Sequence, residues 1–286
     1  MVRPVPVTMG SSRSRTVERA TCRIVDAWFP PRAVLAPHSH ERAIFAVIVQ
    51  GAIESEIRTR RLECTSSTAW TEPIEERHAN RVSQAGARVL VIQPDPKDED
   101  GLAPFRKLLD GVAHGHHAGI AMDALRIMTE MDEPDDVSAF AIDGLVLTML
   151  ATGARVFGPR RFHAAPPPWI LAAQELLHAH FREHLELAAV ARTLGVHPAN
   201  LSRTFRRHFH SSPGDYVRAL RLHWAAERLA ASEDSISRVA VRAGFSDQAH
   251  LTREFRRRMG VTPATWRTSH GGKRAVSPDS PPIPAA

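Results

Sequence analysis

The sequence predicts an α+β protein in two parts. The first is an N-terminal β-rich domain, a small sandwich or barrel, followed by helices. The second is a C-terminal all-α domain holding two helix-turn-helix units. Three observations lead there. Short β-branched runs bounded by turn residues occupy the first hundred positions. The hydrophobic period lengthens after KDEDG (97–101). A basic helical text, LSRTFRRHFHSSP (201–213), is nearly reprinted as LTREFRRRMGVTP (251–263). At 286 residues the chain exceeds the usual single domain, and its 43% hydrophobic and 24% charged content is ordinary globular composition.

Residues 1–18 are polar and proline-bearing and read as a disordered arm. Residues 19–100 read as β. AIFAVIVQG (43–51) is a short apolar run closed by Gly51, and ARVLVIQP (87–94) is another, closed by Pro94. Residues 101–156 read as two antiparallel helices joined by the DEPDD turn, with Ile120, Leu125, Ile127, Met128 and Met131 anchoring the first and Val137, Phe140, Leu145 and Met149 the second. The second is apolar nearly all round in AIDGLVLTML, which favours a contact with a second copy, and hence a homodimer, over helices that only cover the sheet. Residues 157–168 (FGPRRFHAAPPP) form a proline-rich linker, 169–268 a second helical domain, and 269–286 a tail with nothing to pack.

Charge is unevenly spread. From Arg182 to Arg274 seventeen basic residues face eight acidic ones, a balance of +9 that leaves −3 for the rest of a chain whose net charge is +6. Only the C-terminal domain is suited to meet a polyanion. No run of eighteen apolar residues and no apolar core behind the first charges are present, so neither a membrane span nor a secretory signal is expected and a cytoplasmic setting is. In that setting Cys22 and Cys64 are expected as separate thiols.

The repeat carries the functional reading. With Leu201 aligned on Leu251, Arg203 falls on Arg253, Phe205 on Phe255, Arg206 and Arg207 on Arg256 and Arg257, and Pro213 on Pro263. Leu, Phe and then Phe209 or Met259 stand at i, i+4 and i+8, one buried stripe of a helix. The opposite face carries hydroxyls and guanidinium groups. Upstream of each copy lies a shorter helix and a glycine, LAAVARTLG (187–195) and ISRVAVRAG (236–244), offset by forty-nine, so the second turn has one extra residue. Gly195 and Gly244 suit a left-handed helix end, Pro198 the first turn of the first basic helix, and Ser246 or Asp247 the cap of the second. A single such helix reads a few base pairs in a major groove; two on a stiff connecting helix of about 27 Å (214–231) can enter grooves about 34 Å apart. The residue types assign base reading to Asn200, Ser202, Arg203 and Arg206 in the first unit and to Gln248, His250 and Arg253 in the second, with Arg207, Thr252, Arg256 and Arg257 holding phosphates.

The stretch LAAVARTLGVHPANLSRTFRRHFHSSPGDYVRALRL, then AAERLA, then ISRVAVRAGFSDQAHLTREFRRRMGVTPATWR closely resembles the C-terminal DNA-binding domain of the AraC/XylS family of bacterial transcription regulators, over about a third of the chain. The resemblance implies seven helices, promoter DNA as partner, a small-molecule effector in the N-terminal half, and contact with RNA polymerase if the protein activates. Two departures stand out: His210 replaces a usual glycine, and His197 replaces a small hydroxyl cap and is a poorer acceptor.

Further upstream, Pro37, the pair His38 and His40, and Gly51 resemble the first motif of a cupin barrel, and His78 falls where the second motif brings another histidine. These three histidines are candidate ligands for Zn²⁺ or Fe²⁺. The acidic ligand that motif carries about four residues after the pair is absent, since Ile44 and Phe45 stand there, so a metal-free pocket is the competing expectation. Trp28, Phe45 and Trp70, with the histidines, are candidate walls of an effector pocket or plain core. HGHH (114–117) reads as exposed residues at a helix start. No catalysis and no cofactor are required by this reading. Its rivals are a metal-dependent cupin enzyme fused to a DNA-binding domain, weakened by the missing acid, and an alkyl-transfer repair protein, which needs a cysteine nucleophile that neither Cys22 nor Cys64 is placed to be.

Overall fold

The computed structural model describes residues 13–96, 103–157, 167–209 and 211–271, which fall into two compact units. The first unit contains β1 (Arg13–Glu18), β2 (Cys22–Phe29), β3 (Val34–His38), β4 (Ile44–Ile57), β5 (Arg60–Thr65), β6 (Thr68–Glu72), β7 (His78–Pro94) and β8 (His114–His116). It adds the helices α1 (Arg106–Leu109), α2 (Ala118–Asp132) and α3 (Ser138–Val156). The second unit holds α4 (Pro168–His180), α5 (Leu187–Thr193), α6 (Pro198–Phe209), α7 (Pro213–Ala231), α8 (Ile236–Arg242), α9 (Gln248–Met259) and α10 (Pro263–Gly271).

The sheet of the first unit is antiparallel, in the order β1-β2-β7-β4-β6-β8, with β3 paired to the start of β7 and β5 to the end of β4. Among the described residues β1 and β8 are not paired with each other, so the path stays open. The sequence ends one strand at Gly51 and starts another at Ala87. Instead, β4 and β7 run through Gly51 and Gly86 and pair from Phe45↔Ile92 to Ile57↔His78, with register shifts flanking Gly51. Both glycines have positive φ, +75° and +78°, and a β-carbon at Gly51 would lie 2.0 Å from the Gly86 carbonyl oxygen. The two strands therefore bend together where only glycine fits. The continuation carries β7 back to His78.

One sheet face gathers Leu35, Ile48, Ile57, Leu62, Trp70 and Val89 into a core. The other faces the helices, where the ring of Phe45 lies against Gly153 of α3. Nearly every apolar residue of α2 is buried, including Ile120, Leu125, Ile127 and Met128. Helix α3 buries Ile142, Leu145, Val146, Met149 and Leu150 but leaves Val137, Phe140 and Leu147 exposed, Phe140 by 76%. It is also long and apolar enough, by length and composition, to cross a membrane.

Residues 13–18 are not an arm. They form edge strand β1, paired along its length with β2. Charges far away in sequence hold it there: Arg15 donates to Asp132 at 2.6 Å and to the Met131 carbonyl at 2.8 Å, and nearby Arg19 grips Asp143 through two bonds of 2.8 and 2.7 Å. Residues 1–12, most of the linker (158–166) and 272–286 lie outside the described residues. At the other end, α10 continues to Gly271, past the expected boundary at 268.

Gly51→Ala should destabilise the first unit by more than about 1 kcal/mol, because the backbone is left-handed there and the added carbon meets a carbonyl. A urea melt against wild type measures this; an unchanged midpoint would contradict the coupled bend.

Candidate nucleic-acid interface and a histidine cluster

Each basic helix is fixed by its apolar stripe. In α6, Leu201, Phe205 and Phe209 are buried; in α9, Leu251, Phe255 and Met259. The Phe205 ring centroid lies 4.5 Å from that of Phe209 and 5.5 Å from that of Tyr216 on α7. The Phe255 ring stands edge-on to Trp266 of α10, whose indole N–H donates to the Ala226 carbonyl of α7 at 3.1 Å. The turns are as their glycines require: Gly195 and Gly244 have φ of +65° and +89°, and at Gly244 a β-carbon would lie 2.6 Å from the Arg182 carbonyl oxygen. Helix α9 is capped by Asp247, which accepts from the His250 N–H at 2.7 Å. At the start of α6, His197 accepts from the Ala199 N–H through Nδ1 at 3.2 Å, so the imidazole does serve there, at longer range.

With the stripes inward, the opposite faces turn out. Asn200, Arg203, Arg206 and Arg207 are exposed on α6, as are Gln248, Arg253, Arg256 and Arg257 on α9, while Ser202, His250 and Thr252 are half-buried. Among the described residues Arg203, Arg206, Arg207 and Arg256 have no carboxylate partner, and Arg253 forms no ion pair, though, after the hydrogen bond from the His250 N–H, its charge helps hold the Asp247 carboxyl below its usual range. Arg257 has a carboxylate partner in Glu254. Two side chains are engaged locally: the Thr252 hydroxyl donates to the Gln248 carbonyl at 2.8 Å, and His250 Nδ1 lies 3.1 Å from the Ser246 hydroxyl.

The residues that hold α9 to α7 are not evident in the sequence. Arg218 pairs with Asp215 at 2.6 Å and Glu254 at 3.5 Å, and Arg258 reaches Asp215 at 3.4 Å. Arg221 donates to the carbonyls of Phe181 at 2.6 Å and Glu183 at 2.8 Å, tying α7 to the loop after α4. Apart from the local Asp215–Arg218 pair, these depend on partners 36 to 43 residues distant, beyond any local pattern.

In the first unit the predicted aromatic residues do not share a pocket. Strand register puts Trp28 and Phe45 on one sheet face and Trp70 on the other. Trp28 lies under the Arg88 guanidinium at 3.8 Å, and Arg88 in turn grips buried Asp26 through bonds of 2.9 and 2.7 Å. The HGHH segment is not an exposed helix start: His114–His116 form β8, and His117 is a buried cap of α2, its Nδ1 accepting from the Ile120 N–H at 3.1 Å. Cys22 and Cys64 are both buried, and burial pushes their thiols up to about 11 and about 12, far from a thiolate nucleophile.

The three predicted histidines do come together. His38, His40 and His78 bring one ligand atom each within 4.8 Å of the others. A fourth group, unforeseen in the sequence, joins them from β6: Glu72 Oε2 lies 3.2 Å from His78 Nε2 and 3.6 Å from His40 Nε2. Burial lowers the basicity of all three imidazoles, that of His40 to about 3 with help from the other two, and burial raises the Glu72 carboxyl above the usual range.

Two Gly-turned helix pairs in one all-α unit, each showing a basic helix, define a double helix-turn-helix protein. A family described as a helix-turn-helix domain matches residues 190–269. The chain is similar to the HTH-type transcriptional regulator GlxA of Rhizobium meliloti (strain 1021), 36% identical over 104 residues, covering 36% of this chain and 32% of GlxA. It is also similar to the regulatory protein SoxS of Escherichia coli (strain K12), 35% identical over 88 residues, covering 31% of this chain and 82% of SoxS. The C-terminal domain of AraT, a response regulator from Geobacillus stearothermophilus, is 28% identical and covers 41% of this chain and 95% of that one, at a TM-score of 0.36, too slight to build on. The chain belongs to the AraC family of helix-turn-helix transcriptional regulators. It spans about a third to a half of the length of the first curated relatives it matches.

Phe255→Ala should cost about 3–5 kcal/mol, as expected for emptying a fully buried aromatic site. Denaturant unfolding checks it, and a loss below about 1 kcal/mol would mean the stripe does not anchor α9.

Proposed function

We propose that the protein is a sequence-specific, DNA-binding transcription regulator that responds to a small-molecule effector, with α6 and α9 entering successive major grooves of promoter DNA. The observation that carries this reading recurs in both repeats: an exposed row of guanidinium groups that, Arg257 excepted, form no ion pair with a carboxylate among the described residues, on the face opposite a buried apolar stripe. A guanidinium row left unpaired is complementary to phosphate and to guanine O6 and N7. Asn200, Ser202, Arg203, Arg206, Gln248, His250 and Arg253 read bases in this proposal, and Arg207, Thr252, Arg256 and Arg257 hold the backbone. Arg257 does so after exchanging Glu254 for a phosphate.

The N-terminal unit is the sensor in this reading. Its antiparallel sheet and the clustered histidines support a cupin-like domain, and the exposed apolar row Val137, Phe140 and Leu147 supports pairing of two copies through α3. Effector binding then shifts the balance between two arrangements that differ in DNA affinity. The setting is cytoplasmic, with RNA polymerase as a partner if the outcome is activation. The regulator names of the relatives favour this over a cupin enzyme fused to a DNA-binding domain.

Arg253→Ala should cost about 1–3 kcal/mol on the operator, little on random DNA, and relax preference at one base position. Arg256→Ala should weaken binding to both alike and reduce the slope of log K against log salt by about one. Footprint-defined operator and scrambled duplexes, titrated at several salt concentrations, separate the two. Identical behaviour of both variants on both DNAs would overturn the assignment of faces.

A further inference from the structure

The histidine cluster is not used by DNA recognition, and its geometry says what it is built for. Two of its rings are oriented from behind. His38 Nδ1 lies 2.8 Å from the Ala36 carbonyl oxygen, and His78 Nδ1 lies 3.1 Å from that of Glu76. A carbonyl accepts only, so each Nδ1 carries the proton and each Nε2 keeps a bare lone pair. The His78 side chain is 1% exposed, and its Nε2 has no hydrogen-bond donor among the described residues. The nearest polar atom is Glu72 Oε2 at 3.2 Å. Two lone pairs facing each other in a buried site repel unless a cation or a proton sits between them.

Glu72 is itself positioned. Its side chain is 4% exposed, and Oε1 accepts from the Trp70 indole N–H at 2.8 Å, which turns Oε2 toward His78 and His40. No arginine or lysine pairs with it among the described residues, in contrast to Asp26 beside Arg88. The rings of His38, His40 and His78 pack with centroids 4.3–5.0 Å apart. His38 and His40, the latter with a side chain 30% exposed, are half-buried and form the solvent side of the cluster, with His78 behind them.

We propose that His38, His40, His78 and Glu72 together bind one divalent transition-metal ion, with Glu72 supplying from β6 the carboxylate that is missing after the histidine pair. Three imidazole nitrogens and one carboxylate oxygen form a borderline donor set, suited to Zn²⁺, Fe²⁺, Co²⁺ or Ni²⁺ and unsuited to Ca²⁺ or Mg²⁺. Ligand atoms around a tetrahedral ion at about 2.1 Å stand about 3.4 Å apart, close to the two Glu72 separations. The backbone bonds behind His38 and His78 are the outer support that metal-bound histidines ordinarily have. The ion joins the end of β3 and the start of β7, paired at His38↔His78, to β6, which pairs with neither. Binding therefore braces the sheet as well as filling a site.

The test uses the full chain without a polyhistidine tag, stripped with chelator and dialysed. Co²⁺ is titrated while its visible ligand-field bands are followed, and Zn²⁺ per chain is counted after dialysis. Wild type should retain one equivalent, show saturable Co²⁺ bands, and melt at a higher temperature with Zn²⁺. His40→Ala should lose the equivalent. Glu72→Gln, which keeps the Trp70 hydrogen bond and the side-chain shape, should bind at least about tenfold more weakly. A double variant, His114→Ala with His116→Ala, should bind as wild type does. Circular dichroism confirms folding, and both Glu72→Gln and the half-exposed His40→Ala leave the buried His78 untouched.

Retention of no metal by wild type overturns the proposal and leaves a shared proton between Glu72 and His78 as the reason for the geometry. Loss of binding only in the 114/116 variant moves the ion elsewhere and overturns it too. Glu72→Gln binding like wild type removes Glu72 from the site. Each readout is independent of operator binding, so the proposal stands or falls apart from the regulator reading.

Discussion

Three buried apolar side chains per basic helix govern everything the second unit can do. A helix rotates freely about its own axis until something fixes its phase. In α6 Leu201, Phe205 and Phe209 fix it, and in α9 Leu251, Phe255 and Met259. Each such burial contributes about 1.5–3 kcal/mol, whereas an exposed ion pair contributes about 0–1. The apolar stripe therefore decides which side of the helix is outside, and the arginines follow from it. Ion pairs such as Arg218 with Glu254 adjust the seat of α9 on α7 but could not reverse its phase.

The two copies are alike in text and unlike in anchoring. Helix α9 begins with a carboxylate cap at 2.7 Å and is held to α7 through Asp215, Arg218, Glu254 and Arg258. Helix α6 begins with an imidazole cap at 3.2 Å, and its arginines make no carboxylate contact among the described residues. A charged acceptor at the first turn complements the helix dipole, which a neutral imidazole does only weakly. One basic helix is thus seated firmly within its own unit, while the other keeps more of its charge uncommitted. Duplicated sequence does not mean duplicated energetics.

What the sequence disclosed was whatever is written locally. Gly195, Gly244, Pro198 and Asp247 announce helix ends within a few residues, and an i, i+4, i+8 stripe announces a buried face, so the helix ends and buried stripes of the repeat are legible. What escaped was set by distant partners. Gly51 looked like a strand end because glycine usually terminates; it continues because Gly86, thirty-five positions on, bends with it. Residues 13–18 looked like an arm because they are polar, yet Arg15 is held by Asp132. HGHH looked exposed, but β6 supplies a strand partner and α2 needs the His117 cap. The histidine triad was legible as H-x-H plus a later His, whereas Glu72 was not, because it arrives from a strand that pairs with neither β3 nor the start of β7.

Two buried carboxylates of the first unit, Asp26 and Glu72, show how burial separates structure from function. Asp26 is fully buried, and the planar fork of Arg88 meets both its oxygens while Arg15 stands 3.4 Å away. That charge is balanced within the fold, and its partners link β1, β2, β7 and the end of α2. Glu72 lies about as deep but meets an indole N–H and imidazoles, with no arginine or lysine beside it among the described residues. Burying an ionisable group costs several kcal/mol unless an opposite charge compensates it, and hydrogen bonding from one indole does not. A fold that only needed a filled core would place a leucine there, as the neighbouring Leu35 and Ile57 attest. That four polar side chains share one end of an otherwise apolar sheet face, two of them steered by backbone carbonyls, is what sets this end of the domain apart from its core.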